Sequence, residues 1–406
     1  MPPTAVRHEA LLTEIHTDID GIDRDRWDAL ERPSVYLRYD WLRGRSRTVK
    51  GEPRFVTVSD TGGRLLLAAP AYLTGDGAHP AYDLAKVLSM EELEEDDLTG
   101  LPEARQSLTR LRADAAPWRP AIVAGSPGRM GGVAYARELD GAGRRRVATA
   151  AVEALERRAD ADGAARVAWL YLLEQYDPAI EAALARRGYQ HVVIGADAYI
   201  PIEFDDFEGY LAQFTSHRRL NIRKEIEAFD RAGISVAVHD ADVLGPRLAE
   251  LELRWRAKYG RAADLGDTVA GYQSLRENIG DALRVVVASR HGEPIGFVVF
   301  LADPEAWWAR FGGFDYSDKK SFLYFNLVFY RPVQLAIERG VGAIGYSMGS
   351  YEAKHTRGAR LRHFMGYLSG VAPGSRAATD LAMVDGAQRR KFEAVTRHHV
   401  LRQEGS

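Results

Sequence analysis

The sequence predicts an α/β (α+β) protein of two similar lobes, each a mixed, mainly antiparallel sheet flanked by helices. Two observations predict this. A chain of 406 residues exceeds one ordinary core, so two domains of roughly 200 residues each are expected. In addition, each half of the chain has the same order of elements: a hairpin, a third strand, a helix and a buried strand. We therefore place the lobes at 1–203 and 204–406.

The second half shows this order more clearly. Its hairpin strands are rich in β-branched and aromatic residues and flank a turn that contains Gly292. The predicted elements are strands at 283–289, 294–301 and 307–313, a helix at 321–339 and a buried strand within 342–349. Gly340 ends the helix, as glycine commonly does. The buried strand is expected to end in a loop.

The first half repeats the order with an insertion. Its predicted elements are strands at 54–59, 64–73 and 118–124, a helix at 144–160 and a buried strand at 165–171. The late elements of the two halves keep nearly one spacing, so the extra residues fall at about 75–117. That insertion contains the acidic run Met90–Asp97, which predicts a solvated face or, alternatively, a docking surface or lid.

Composition excludes several classes of protein. The net charge of -3 gives no overall attraction to nucleic acid or to an anionic membrane, so we expect no DNA partner and any basic site must be local. The chain has no cysteine, which excludes disulfides, thiolate metal sites and a cysteine nucleophile. It contains no apolar run of about 18 residues, and its first residues have no apolar h-region. We expect a cytoplasmic protein without a membrane span, a metal or a tightly bound cofactor.

A polar stretch follows the last buried strand. It contains Tyr351, Glu352, Lys354, His355 and Arg357 and ends at Gly358. In a helix, Glu352 and His355 would share one face, as would Lys354 and Arg357. Polar side chains just past the carboxyl end of a buried strand are where α/β folds place their chemistry. The alternative is a solvated helix start that the glycine ends.

A second basic segment begins with Arg218 and Arg219. On a helical wheel Arg218 falls on the apolar stripe centred on Ile222, while Arg219 and Arg223 flank that stripe. Burying a cation without a partner is costly. Either Arg218 and Arg223 therefore face a cleft and hold a phosphate or carboxylate, or the helix begins later and Arg218 is solvated.

Four segments carry a family resemblance: Arg218–Lys224, Gly292–Phe297, Gly312–Asp315 and Gly349–Gly358. Together with the order of elements, they resemble the GNAT acyltransferase superfamily, in its tandem-lobed branch of Fem-type aminoacyltransferases and peptidoglycan-biosynthesis-like proteins. The resemblance implies two GNAT-like lobes. It also implies transfer of an acyl or aminoacyl group from an activated carrier to an amine of a small-molecule or cell-wall acceptor. Such transfer needs no covalent enzyme intermediate, which suits the absence of cysteine.

The chemistry requires a base for the attacking ammonium and donors for the oxyanion. We predict Glu352 or His355 as base or base relay, Tyr324 or Tyr316 as acid, and Asp315 either as the residue that orients the amine or as a cap of its own loop. Residues predicted to bind substrate or donor are Arg218, Arg223, Lys319, Lys320, Tyr316, Tyr351, Lys354 and Arg357. The equivalent segment of the first lobe, 172–177, contains no cation, so the active cleft is predicted in the second lobe.

The donor is predicted from one departure. GNAT enzymes that use coenzyme A hold its pyrophosphate on a Gln/Arg-x-x-Gly-x-Gly/Ala loop at a helix start. The second lobe has Tyr316–Ser321 there, without glycine, and the first has Glu138–Gly143, with Glu where Gln or Arg is expected. A carrier-protein thioester, with its phosphopantetheine arm, or an aminoacyl-tRNA is therefore the predicted donor. The alternatives are an ordinary acyl-coenzyme A-dependent N-acetyltransferase and an inactive binding module for an anionic ligand.

Overall fold

The computed structural model describes residues 10–397. The first nine residues, on which part of the localisation prediction rests, lie outside this range. The described chain forms two compact units, 10–195 with 363–391 and 196–362 with 392–397. Among the described residues, no helix has both the length and the apolar character needed to cross a membrane.

Helices and strands alternate along most of the chain. Up to Arg186 they are β1 (Leu11–His16), α1 (Arg24–Asp28), α2 (Tyr39–Arg45), β2 (Glu52–Pro53), β3 (Phe55–Asp60), β4 (Leu65–Ala69), β5 (Ala71–Thr74), α3 (Leu84–Leu88), α4 (Pro102–Ala113), β6 (Ala121–Ala124), β7 (Ala134–Tyr135), α5 (Gly141–Asp162), β8 (Arg166–Leu173) and α6 (Pro178–Arg186). From Gln190 onwards they are β9 (Gln190–Pro201), α7 (Phe207–Ala212), α8 (Ser216–Arg231), β10 (Ile234–His239), α9 (Pro246–Lys258), α10 (Leu265–Ile279), β11 (Leu283–Arg290), β12 (Glu293–Ala302), β13 (Ala306–Phe314), α11 (Leu323–Phe325), α12 (Arg331–Glu338), β14 (Ala343–Ser347), α13 (Tyr351–His355), β15 (Arg360–Leu368) and α14 (Arg376–Thr396). Strands β9 and β15 and helix α14 contribute residues to both units.

The first unit has two sheets. One is the four-stranded sheet β1-β3-β4-β7, and the other contains β2, β5, β6, β8 and β15 in that spatial order. The predicted hairpin forms between β3 and β4, but its second strand breaks at Pro70, so β4 and β5 belong to different sheets. Strand β5 pairs antiparallel with β6, and β6 pairs in parallel with β8 after the crossover helix α5. The predicted third strand is shorter than expected, because 116–118 form a 3-10 turn.

Residues 363–391 join the first unit, whereas the prediction assigned the whole C-terminal half to the second lobe. The reason is pairing. Strand β15 lies antiparallel to β8, with Phe364 opposite Leu173. The carboxylate of Asp385 on α14 accepts a 2.7 Å hydrogen bond from the backbone N–H of Val193. A strand whose backbone groups are bonded to β8 must fold with that strand's unit.

The second unit repeats the pattern of the first. Its strands lie in the order β10-β11-β12-β13-β14-β9. The first four are antiparallel neighbours, β13 and β14 are parallel, and β14 and β9 are antiparallel. Phe297, Phe300 and Phe229 are fully buried in its core. The predicted fold class, a mixed and mainly antiparallel sheet in each half, is confirmed.

The helix that connects β13 to β14 departs from the prediction at its start. It begins at Leu323 and not at Ser321, because Phe322 is in the left-handed conformation (φ 52°). Residues Asn326–Tyr330 then form a π-helical turn before α12. Such turns are uncommon and are found frequently at functional sites.

The predicted insertion is ordered and contains α3 and α4. Within the acidic run, Met90 and Leu93 are buried and the carboxylate of Asp97 is 2.8 Å from the ammonium of Lys391. Most of the other acidic side chains of the run are exposed. This matches the expected solvated face, anchored to its unit by apolar contacts and an ion pair.

Candidate functional site

The second unit has a wedge between its two parallel strands. Among the described residues, β13 and β14 pair only at 306–308 and 343–345, although β13 continues to Phe314. The register of β13 against β12 shifts by one residue at Arg310, directly after the last paired position. β-bulges of this kind occur preferentially beside active sites, where they redirect the backbone. The wedge thus combines diverging strand edges with a bulge at the point of divergence.

A strained turn follows β14 at the wedge. Three of its residues have positive φ: Ser347 (55°), Gly349 (80°) and Ser350 (49°). The ammonium of Lys354 donates hydrogen bonds to the carbonyls of Tyr346, Ser347 and Met348 at 2.9, 3.0 and 2.9 Å. An ammonium has three donors, and these three bonds use them all. Lys354, predicted as an anion ligand, therefore holds the turn.

The polar stretch does coil, as α13. Glu352 is exposed, whereas His355 is buried. The Nδ1 of His355 lies 3.1 Å from the carbonyl oxygen of Ala359, and its Nε2 is buried without a hydrogen-bond partner among the described residues. Because a carbonyl only accepts, Nδ1 carries the proton and Nε2 keeps its lone pair. Tyr351 is buried, with its ring 5.0 Å from that of Phe392.

Two arginines share one buried carboxylate beneath α13. Arg218 donates to the carbonyl of Thr356 at 2.8 Å and lies 3.4 Å from Glu225. The guanidinium of Arg357 stacks on the ring of Phe325, 3.4 Å from its centroid, and burial lowers the pKa of Arg357. Tyr330 also donates to Glu225. Arg218 and Arg357 are thus committed to internal partners.

The basic helix separates the two predicted phosphate ligands. Helix α8 begins at Ser216, so Arg218 is helical and its side chain points inwards. Arg223 is exposed and pairs with the equally exposed Glu208 at 2.5 Å. Each of the two alternatives for this helix therefore holds in part: Arg218 faces inwards and holds a carboxylate, but Arg223 lies on the outer face.

Two aspartates cap the loop that follows β13. Asp315 accepts the N–H of Ser317 at 2.9 Å, a bond that lowers the pKa of Asp315. Asp318 accepts the N–H groups of Lys320 and Ser321 at 3.1 and 3.2 Å. Of the two roles considered for Asp315, the geometry shows the loop cap. The side chains of Lys319 and Lys320 are exposed.

Aromatic and basic side chains from α9 and this loop lie together. We name this group the aromatic–basic surface, and it consists of Lys258, Tyr259, Tyr316 and Tyr324 with Lys319 and Lys320. Lys258 lies 4.0 Å from the ring centroid of Tyr316 and 5.6 Å from that of Tyr259. The rings of Tyr316 and Tyr324 both contact Phe314, at 6.1 and 5.1 Å. Burial raises the pKa of Tyr316 and of Tyr324, so both keep their protons at neutral pH.

One polar pair near the turn was not predicted. Asp197 on β9 is fully buried, and its Oδ2 accepts hydrogen bonds from Nε and Nη2 of Arg362 at 2.9 and 2.8 Å. Its Oδ1 accepts the N–H of Ser347 at 3.1 Å. Burial raises the pKa of Asp197, and Arg362 and Lys354 act against this. The signal in the sequence was a single aspartate inside the apolar run 192–200.

The first unit also has a polar cluster at the end of its equivalent strand. Segment 172–177 has no cation of its own, as predicted, but folding brings two to Glu174. His363 Nδ1 lies 2.7 Å from Glu174 Oε2, and Arg389 Nη2 lies 2.7 Å from Oε1. Burial opposes ionisation of Glu174, but the hydrogen bonds from Arg389 and His363 prevail and lower its pKa. Both partners come from the segment that returns to this unit.

Several solved structures share the fold. FemX is similar at a TM-score of 0.55 and 10% identity, covering 87% of this chain and 96% of that one. The C-terminal domain of a lysylphosphatidylglycerol synthetase from Agrobacterium fabrum gives 0.53 and 12%, covering 90% and 96%. A conserved protein of unknown function from Bacteroides thetaiotaomicron gives 0.53 and 13%, covering 88% and 100%. At these identities the likeness shows the fold alone.

No curated protein matches the sequence. A sequence model of the FemAB-like family, described as peptidoglycan biosynthesis/recognition, matches residues 135–364, which is more than half of the chain. That range runs from β7 into β15 and includes the wedge, the turn after β14 and α13. The predicted resemblance is confirmed, and with it the prediction of an acyltransferase of the Fem type at the level of the family. The chain belongs to the FemAB-like family.

Proposed function

We propose that the chain transfers an aminoacyl group from a tRNA to an amine, at the wedge between β13 and β14. The observation that carries the proposal is the divergence of these two parallel strands beyond Trp308 and Gly345. Strand edges without a ladder partner can hydrogen-bond an extended substrate. The bulge at Arg310 redirects backbone N–H groups at the same place, which suits stabilisation of an oxyanion.

The reaction needs two proton transfers. A base removes a proton from the acceptor ammonium, the amine attacks the ester carbonyl, and the tetrahedral oxyanion collapses as the ribose oxygen leaves with a proton. Glu352, exposed beside the turn, and the Nε2 lone pair of His355 are the two candidate bases. Tyr324 and Tyr316 keep their protons and are the candidate acids.

The helix starts argue against free acyl-coenzyme A as donor. In the first unit, the carboxylate of Asp140 accepts the N–H of Gly143 at 2.7 Å at the start of α5. In the second unit, Asp318 occupies the N–H groups of Lys320 and Ser321. These are the places where acyl-coenzyme A-dependent GNAT enzymes bind pyrophosphate. A carboxylate there repels phosphate and takes its hydrogen bonds.

The aromatic–basic surface favours a nucleic-acid carrier over a protein one. Tyr259 and Tyr324 are 57% and 37% exposed, and cations flank the tyrosine rings. Exposed aromatic rings beside lysines bind unpaired nucleotides, because bases stack on the rings and the lysines neutralise phosphates. The single-stranded acceptor end of a tRNA offers both features. The description of the family supports an acceptor amine from peptidoglycan synthesis.

The test is a transfer assay with three donors: tRNA charged with labelled amino acids, acetyl-coenzyme A, and an acylated carrier protein. The acceptor is a lysine-containing peptidoglycan stem peptide. We expect label transfer from tRNA alone, and its loss after ribonuclease treatment. Transfer from the carrier protein, or saturation by micromolar acetyl-coenzyme A, would contradict the proposal.

Variants locate the reaction. Glu352→Gln should lower turnover by about 100-fold if Glu352 is the base, and His355→Ala by a similar factor if His355 is. Arg223→Gln is the matched control, because Arg223 is exposed and paired on the outer face of α8. Full activity in both Glu352→Gln and His355→Ala would remove both residues as bases.

A further inference from the structure

Arg362 presents a cation in a fixed orientation. Its Nε and Nη2 are both bonded to Asp197 Oδ2, and its Cζ lies 4.3 Å from the ring centroid of Tyr199. Asp197 and Tyr199 are alternate residues of β9, so they project from the same face of that strand. The guanidinium is therefore held by its edge and by its plane.

This cation remains accessible. The side chain of Arg362 is 32% exposed, whereas that of Asp197 has no exposure at all. Nη1 of Arg362 takes no part in the two bonds to Asp197. Lys354 adds a second positive charge that acts on Asp197. Two cations therefore accompany one carboxylate, and the local excess of charge is positive.

The surroundings connect this cation with the wedge. The carboxylate that holds Arg362 also accepts the N–H of Ser347, the first residue of the strained turn after β14. A guanidinium whose orientation is fixed in advance binds carboxylates and phosphates better than a flexible one, because less freedom is lost on binding. If neutralising Asp197 were its only role, Arg362 would not need an exposed edge.

We propose that Arg362, positioned by Asp197 and Tyr199, binds a carboxylate or phosphate group of the amine acceptor. The inference rests on the proposed function only in assigning the oxyanion to the acceptor. It adds that the acceptor carries an oxyanion besides its amine, and that Arg362 recognises it. Asp197 is a positioning residue, which acts through Arg362.

The first experiment needs neither donor nor acceptor. Inorganic phosphate is titrated with the full chain at low ionic strength, and binding is followed by the phosphorus NMR line width. Arg362→Gln should weaken binding at least about tenfold. Arg360→Gln is the matched control, because Arg360 lies on the same strand and forms an exposed pair with Glu203 at 2.7 Å. It should change binding less than about twofold.

The variant Arg362→Gln leaves Asp197 buried with fewer partners and can unfold for that reason. The double variant Asp197→Asn/Arg362→Gln removes both charges and avoids the problem, and it should still not bind phosphate. Phosphate binding by the folded double variant would overturn the site. Equal losses in Arg360→Gln and Arg362→Gln would show a diffuse surface charge instead, and would overturn it too.

The kinetic experiment identifies the source of the oxyanion. In the transfer assay, Arg362→Lys should raise the KM for the acceptor about tenfold, with kcat and the KM for the donor nearly unchanged, because lysine keeps the charge but loses the fixed fork. A rise in the KM for the donor alone would overturn the assignment to the acceptor. If no transfer is seen with any donor, the proposed function fails, while the phosphate titration still decides whether Arg362 binds an oxyanion.

Discussion

Replacing Lys354 by methionine separates a structural role from a chemical one. The sequence predicts Lys354 as an anion ligand, whereas the structure gives its three donors to three carbonyls around the turn after β14. Methionine keeps the length and apolar stem of the side chain and removes only the ammonium. The variant therefore tests the hydrogen bonds and little else.

The magnitude follows from two opposing contributions. Three hydrogen bonds at 2.9–3.0 Å, each contributing about 1 kcal/mol net at a half-buried site, stabilise the unit by about 3 kcal/mol. Loss of the ammonium lets Ser347 and Ser350 leave the left-handed region, which returns about 1 kcal/mol in total once partial relaxation is allowed for. We expect Lys354→Met to lower the free energy of unfolding by about 2 kcal/mol.

The assay is urea unfolding followed by circular dichroism, with transfer activity measured on the same samples. Lys320→Met is the control, since Lys320 is an exposed lysine, and it should cost less than about 0.5 kcal/mol. A variant Lys354→Met that is as stable as the parent but has lost turnover would refute the reasoning. It would show that Lys354 acts on the substrate, as the sequence predicts.

Three further changes test packing and charge by denaturant or thermal unfolding. Arg54→Gln should cost about 3 kcal/mol, because Asp162, its buried partner at 2.7 Å, loses a cation, and a cost below about 1 kcal/mol would contradict this. Gly313→Ala should cost at least about 2 kcal/mol, since a Cβ there would lie 2.3 Å from the backbone of α9, whereas Gly271→Ala on the open side of α10 should be neutral or stabilising. The lowered pKa of Glu174 gives stability that is present above its unfolded pKa of about 4.3 and lost as pH falls through the folded pKa. The stability difference between the parent and Glu174→Gln should therefore shrink below about pH 4, and a difference independent of pH would exclude the ion pair as its cause.

The order of elements could be predicted because hydrophobic periodicity is local. Strands β11, β12 and β13 and the helix α13 lie close to where the apolar runs and the polar stretch predict them. The break at Pro70 was readable in principle, because proline cannot donate to a sheet ladder. The left-handed Phe322 was not, since tertiary packing alone makes such a conformation tolerable for an aromatic residue.

The partners of the site residues could not be predicted, because they come from distant parts of the chain. Sequence patterns identify Arg218 as an inward-facing cation, but nothing local selects Glu225 and the carbonyl of Thr356 as its partners. Arg389 reaches Glu174 only because β15 and α14 return to the first unit. Long-range pairing of this kind depends on sheet topology, which the apolar pattern leaves open.

The two units treat anions in one consistent way. In each, an aspartate caps a helix start, Asp140 in the first and Asp318 in the second, so the backbone N–H groups that usually bind phosphate are already occupied. Helix ends bind any phosphate without regard to what is attached, because they offer only a dipole and N–H groups. A guanidinium fixed by Asp197 selects for the direction of approach as well. Recognition through Arg362 would therefore exclude free nucleotide carriers and admit an acceptor whose oxyanion and amine are correctly spaced, which is the discrimination that a transferase with a macromolecular donor requires.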